Sequence, residues 1–322
     1  MSPRDAVRTR PAVLLPRDLP AGAVLPYARR AEALGFHELW VVEDLGFRGG
    51  FAQAAAVLAA TSRLRVAVGI LPAAVRNVAF AAMEAATLAQ LFPGRLTVGV
   101  GHGMPGWMRS VGAWPPQPLA LLEEHVQALR ALLRGERVSA EGRYVRLDEV
   151  ALDPSAVPDE PPDVVLGVRG PRSLAVSGRV ADGTVLAEPC APEYVRAAVA
   201  QIAPTGPHRV VTYDVASVRD ATAAAVEDVR PALAWVGDPD WAPHLAPLPF
   251  AEELAALRAS AATREHFARA LPQAWVTRLA LAGTPDEVRA GIAARAAAGA
   301  TTSVLLPTGD PVAALDRLAG VL

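Results

Sequence analysis

Short, nearly continuous apolar runs alternate along the chain with longer stretches whose apolar residues recur every three to four positions. Val24, Tyr27, Ala28 and Ala31 share one helical face, the pattern stops at Gly35, and residues 39–42 read as a strand. Leu122, Val126, Leu129 and Leu133 repeat the arrangement before Gly135. Near the end, Thr284-Pro285-Asp286-Glu287 has the form of a helix start: a hydroxyl cap, a proline in the first turn and a glutamate placed for a capping box. That helix ends at Gly299 and residues 303–306 follow as a strand. The runs that read as buried strands are 12–15, 39–42, 66–71, 96–100, 164–168, 184–187, 210–215 and 303–306. Such runs suit parallel strands covered on both sides. Eight of them separated by helical patterns predict a (β/α)8 TIM barrel, with a doubly wound open sheet as the alternative. Residues 1–322 read as one barrel domain carrying two insertions. A hairpin occupies about 137–150, turning at Glu141-Gly142, and an alanine-rich helical insertion occupies about 219–273. The second falls between the seventh and eighth strands, where it would cover the barrel mouth.

Composition narrows the chemistry. Hydrophobic residues make up 52% of the 322, ample for a large core. No apolar run approaches the ~20 residues of a membrane helix; the longest, 78–92, is broken by Glu84 and Gln90. Residues 1–11 are polar and unlike a secretory signal, so a cytoplasmic protein with no membrane partner is expected. The net charge of −2 and the lack of a basic block argue against nucleic acid. All 31 basic residues are arginine, which excludes Schiff-base lysine, pyridoxal-phosphate and P-loop chemistry. The one cysteine, Cys190, excludes an intramolecular disulfide and cysteine-based metal centres. The six histidines show no metal-binding spacing, and no metal is expected.

In such a barrel, function lies at the C-terminal ends of the strands. Glu43 and Asp44 follow the second strand. Alternation along a strand predicts that one of them faces the mouth. The third strand carries Gly69-Ile70, with Arg76 and Asn77 close behind. After the fourth comes Gly101-His102-Gly103-Met104-Pro105-Gly106, which formally matches G-x-G-x-x-G. A dinucleotide reading fails because Pro105 and later prolines oppose a helix starting inside the glycines. The glycines read instead as a flexible loop or as room for a flat ring. His102 is either a proton donor or a loop cap. After the fifth strand, Val168-Arg169-Gly170-Pro171-Arg172 leads into a helix; free N–H groups beside two guanidinium groups form an anion site suited to phosphate, or two solvated arginines at a helix start. Glu188 follows the sixth strand.

At these residues the chain resembles the luciferase-like flavin-dependent oxidoreductase superfamily, and within it the F420-using branch similar to methylenetetrahydromethanopterin reductase. The likeness runs through Ala31-Glu32-Ala33-Leu34-Gly35-Phe36, Leu91-Phe92-Pro93-Gly94-Arg95 and Gly99-Val100-Gly101. It continues in Gly170-Pro171-Arg172-Ser173-Leu174, Ala181-Asp182-Gly183 and Ala282-Gly283-Thr284-Pro285-Asp286-Glu287. The order and spacing of these pieces carry it. The resemblance implies a barrel holding one deazaflavin or flavin across the strand ends. It implies a non-proline cis peptide at Gly69-Ile70, a ring or tail contact from Asn77 and a phosphate held by residues 168–172. Glu43-Asp44 stands where members commonly carry Asp-His, which leaves proton transfer to Asp44, Glu43 or His102.

Three functions follow from the resemblance. The first is hydride transfer between coenzyme F420 and a small organic substrate, with Arg48, Arg76 and Arg109 available to an anionic coenzyme tail. The second is an FMN-dependent monooxygenase fed by a separate reductase. The third is a non-catalytic flavin-binding barrel. A separate flavin or F420 reductase is the expected redox partner, and a homodimer the expected assembly.

Overall fold

The computed structural model describes residues 11–322; all but the last residue of the polar N-terminal stretch lies outside them. Eight parallel strands close on themselves. They are β1 (Ala12–Leu14), β2 (Glu38–Val41), β3 (Arg65–Pro72), β4 (Leu96–Gly101), β7 (Asp163–Gly167), β8 (Gly183–Leu186), β9 (Arg209–Val218) and β11 (Thr302–Pro307). β9 pairs with both β8 and β11, and β11 with β1, which completes the barrel. The expected strands are thus present, within about two residues at their ends except where β9 runs on to Val218. β5 (Val138–Glu141) and β6 (Arg146–Val150) form the expected hairpin. β10 (Leu281–Gly283) was not anticipated; it pairs with Ala216, Ser217 and Val218 at the top of β9. The helical insertion also runs further than expected, its last helix being Gln273–Leu279.

Between the strands lie helices whose apolar stripes face the barrel. Val24, Tyr27, Ala28 and Ala31 are all buried, as are Leu122, Val126, Leu129 and Leu133. Thr284 and Glu287 form the capping box read from the sequence. No helix among the described residues is long and apolar enough to cross a membrane.

The barrel interior is a packed floor beneath the mouth, built around Trp40, Ala67, Val165, Val185, Val211 and Tyr213. Trp40 donates from Nε1 to Glu38 Oε2 at 2.9 Å and meets the Tyr213 ring edge-on at 5.6 Å. Successive residues on β9 point to opposite faces. Tyr213 therefore turns inward while Asp214 turns out, where Arg295 of the helix Pro285–Ala297 donates to it at 2.6 Å. Thr212 donates to the other Asp214 oxygen at 2.7 Å. Neither side chain of the Asp214–Arg295 pair is more than 2% exposed. Burial pushes the Asp214 carboxyl up, opposed by Arg295 and Thr212.

Candidate active site at the barrel mouth

One cavity of about 370 Å³ opens at the C-terminal ends of the strands. Glu43, Asp44, Gly69, Ile70, His102, Gly103, Val168 and Arg169 line it, so most of the residues singled out in the sequence converge there. Both carboxylates face it, against the expectation of one. β2 ends at Val41, so Glu43 and Asp44 lie in loop, where strand alternation no longer applies.

Each carboxylate already has a cation. Arg76 grips Glu43 with both terminal nitrogens, and the Gly50 N–H donates to Glu43 at 2.6 Å. Arg17 pairs with Asp44. Arg48 donates to the carbonyls of Arg17 and Leu19. Arg109 lies over the Trp114 ring at 5.4 Å. Arg48 and Arg76, expected to meet a coenzyme tail, are thus engaged within the protein.

His102 is different. Burial lowers its pKa, with the hydrogen bond to the Pro118 backbone acting the other way. Proline has no N–H, so the imidazole must donate to the Pro118 carbonyl. Burial thus disfavours the charged ring. Its other nitrogen keeps a lone pair able to take a proton.

The Gly69–Ile70 peptide is cis, and the β3–β4 register shifts between Val68 and Leu71. Tyr213 Oη donates to the Gly69 carbonyl at 3.3 Å. The Ile70 side chain lies over the neighbouring glycines: a Cβ on Gly167 would stand 2.6 Å from Ile70 Cγ2, and one on Gly101 2.9 Å from its Cδ1. Gly101 thus leaves room for Ile70 and for the Gly167 carbonyl oxygen, which a Cβ would meet at 2.8 Å, and it is not part of the cavity lining. The loop after β4 also departs from expectation. A helix, Pro105–Ser110, does begin among those glycines, because proline is well suited to the first helical position. It is one short helix above a barrel, not the start of a dinucleotide fold.

Val168 and Arg169 line the cavity; Gly170, Pro171 and Arg172 follow them in the chain but are not part of the lining. Gly170 has φ +80° with nothing within 4 Å of a would-be Cβ, and it leads into the helix Pro171–Val180, which has no side-chain cap. Asn77 and Glu188 do not line the cavity. Asn77 caps its own helix by accepting from Ala79 N–H at 2.9 Å. Burial raises the pKa of Glu188, and its backbone carbonyl accepts from Trp241 Nε1 at 3.0 Å.

Sequence reasoning missed Tyr213, Trp114 and Asp240, all of which line the cavity. Tyr213 carried a signal: it shares a face with Val211 in an apolar strand. Asp240 comes from the insertion, which reaches the mouth as expected. Arg169 donates to the Asp240 carbonyl at 3.0 Å and lies over the Trp241 ring at 5.2 Å.

Residues 7–302 match the luciferase-like monooxygenase family. A 5,10-methylenetetrahydromethanopterin reductase from Methanolobus tindarius is 28% identical over 186 residues, covering 57% of this chain and 55% of that protein. An F420-dependent glucose-6-phosphate dehydrogenase from Nakamurella multipartita is 33% identical over 174 residues, covering 50% of this chain and 51% of that protein. The chain thus spans about half the length of these curated relatives. The solved coenzyme F420-dependent tetrahydromethanopterin reductase from Methanopyrus kandleri superposes with a TM-score of 0.81 at 20% identity, covering 97% of each chain.

Proposed function

The chain belongs to the luciferase-like monooxygenase family, and from that premise we propose that it is an F420-dependent oxidoreductase, moving a hydride between the deazaflavin and a small organic substrate. The observation that carries this reading is the junction of a walled cavity with an open, uncapped helix start. A tricyclic ring fits the first and its phosphate the second. The residues present suit such a group: Gly170 leaves the approach clear, the helix start it leads into has no side-chain cap to compete for the N–H groups of the first turn, and Arg169 and Arg172 stand beside it in the chain. The F420-dependent glucose-6-phosphate dehydrogenase among the relatives favours F420 over FMN.

F420, when bound, supplies or accepts the hydride. The chain's own residues do the rest. Ile70, seated over Gly101 and Gly167 with Tyr213 holding the Gly69 carbonyl, forms a fixed back wall. The free nitrogen of His102 takes the substrate hydroxyl proton in oxidation and returns it in reduction. Glu43 and Asp44, each paired with arginine, hold the loop after β2 against the cavity.

Titrating the protein with F420 and with FMN, by fluorescence quenching, tests the assignment. F420 is expected to bind tightly; tight FMN binding with no F420 binding would overturn it. Arg172→Ala should weaken F420 by about tenfold, the value of one charge-assisted contact. Unchanged affinity would refute the phosphate position.

Dimerisation is a second part of the proposal. The helix Gly50–Ala60 exposes Ala52, Ala56 and Ala59 and contains no charged residue. Beside it, the helix Val78–Leu91 exposes Phe80, Met83 and Leu91 with one charge, Glu84, already paired with Arg76. Small and large apolar residues on one neutral face suit a two-fold contact between copies. Phe80→Asp with Met83→Asp should convert a dimer to a monomer in sedimentation; a wild-type monomer would remove this part.

A further inference from the structure

The chemistry lining the cavity also speaks to what it admits. The geometry points to a substrate that is neutral and apolar and carries a ring: a hydrophobic alcohol or carbonyl compound without phosphate or carboxylate. This rests on the oxidoreductase reading above and names the substrate class for the same site.

Two observations carry it independently. The first is the wall. The loop after β4 turns Met104, Trp107, Met108 and Trp114 to the cavity, and Leu45 faces them from the loop after β2. Met104 is 39% exposed and Leu45 45% exposed, while Trp107 and Trp114 are half-buried, so apolar area stands uncovered at the mouth. Covering it is favourable at about 25 cal/mol per Å². Indole faces add a preference for flat rings, and methionines adapt to irregular ones.

The second observation is charge. Among the described residues, three acidic ones line the cavity, Glu43, Asp44 and Asp240, against one arginine, Arg169. That cation already donates to the Asp240 carbonyl and lies over Trp241, at the phosphate end assigned to the coenzyme. The arginines that neutralise Glu43 and Asp44, Arg76 and Arg17, are not part of the lining. An anionic substrate would therefore meet carboxylates and no uncommitted cation, while burial disfavours a charged His102. A buried charge left unpaired is costly, and the site rejects it on that ground.

Two dyes with one skeleton provide the test without coenzyme or turnover. N-phenyl-1-naphthylamine is neutral; 8-anilino-1-naphthalenesulfonate adds one negative charge. Dye fluorescence is titrated against wild-type protein, Trp107→Ala/Trp114→Ala and Asp44→Asn/Asp240→Asn, each first shown to be folded by circular dichroism. The neutral dye is expected to bind at least about tenfold tighter than the sulfonate, a difference of about 1.4 kcal/mol. The tryptophan variant should lose most of that affinity. The aspartate variant, which frees Arg17, should gain affinity for the sulfonate. Equal or tighter sulfonate binding to wild-type protein, or neutral-dye binding untouched by the tryptophan changes, overturns the inference. F420 titration is read separately. Absent F420 binding with the dye discrimination intact sinks the coenzyme reading and supports this one; F420 binding without the discrimination does the reverse.

Discussion

His102→Asn is expected to lower kcat/KM by about 10²–10⁴-fold, the usual worth of a positioned proton-transfer group, with F420 affinity unchanged. Asparagine can still donate to the Pro118 carbonyl but offers no nitrogen lone pair to take a proton. The loss should fall on kcat rather than KM, since only the transition state needs the proton moved. The pH profile supplies a second readout. Burial sets the pKa of His102 below its ordinary 6.5. Alcohol oxidation needs the neutral ring, so its rate is present above that lowered pKa and lost as pH falls through it; the acid limb has its midpoint below 6.5. Carbonyl reduction needs the protonated ring and rises as pH falls through the same value. In the asparagine variant this limb disappears from both directions. A variant with wild-type kcat and an unchanged limb would transfer the role to Asp44 or Glu43, the other candidates on the same wall.

The largest loss of stability is expected at the Asp214–Arg295 pair. Asp214→Ala leaves a guanidinium group in a place no more than 2% exposed. Removing one member of such a pair costs about 3–5 kcal/mol, mostly as uncompensated buried charge. Applied here, it lowers the melting temperature by roughly 4–7 °C. Arg295→Met should cost a similar amount. Combining Asp214→Leu with Arg295→Met should recover most of it, since no charge is then left alone. Chemical denaturation of the three variants measures this cycle; additive losses in the double variant would contradict it. Activity should fall with the single substitutions too, because Asp214 anchors the outer face of the strand whose inner face presents Tyr213 to Gly69.

The barrel was legible because its strands are buried on both faces, so that runs such as 66–71 and 164–168 carry no polar interruption at the strand core. Leu281–Gly283 was not legible: three small or apolar residues beside a helix cap have no period of their own, and only the extension of β9 to Val218 gives them a partner. The site was legible in part. Its residues cluster after strands, which the fold makes predictable. Their engagements were not, because the partners lie far apart in the chain: Arg76 reaches back to Glu43, and Ile70 fills the space that the bare backbone of Gly101 and Gly167 leaves.

β10 has a bearing on how this protein changes over generations. The chain leaves the sheet at Val218 and returns at Leu281, which pairs with Ala216. Departure and return are stitched side by side, so residues 219–280 form a cassette on a closed seam. A replacement of another length has only the same short gap to bridge, and loop closure grows slowly with length. The cassette supplies Asp240 to the cavity and nothing to the barrel closure. Exchanging it alters what enters while leaving Ile70, Tyr213 and His102 where they are.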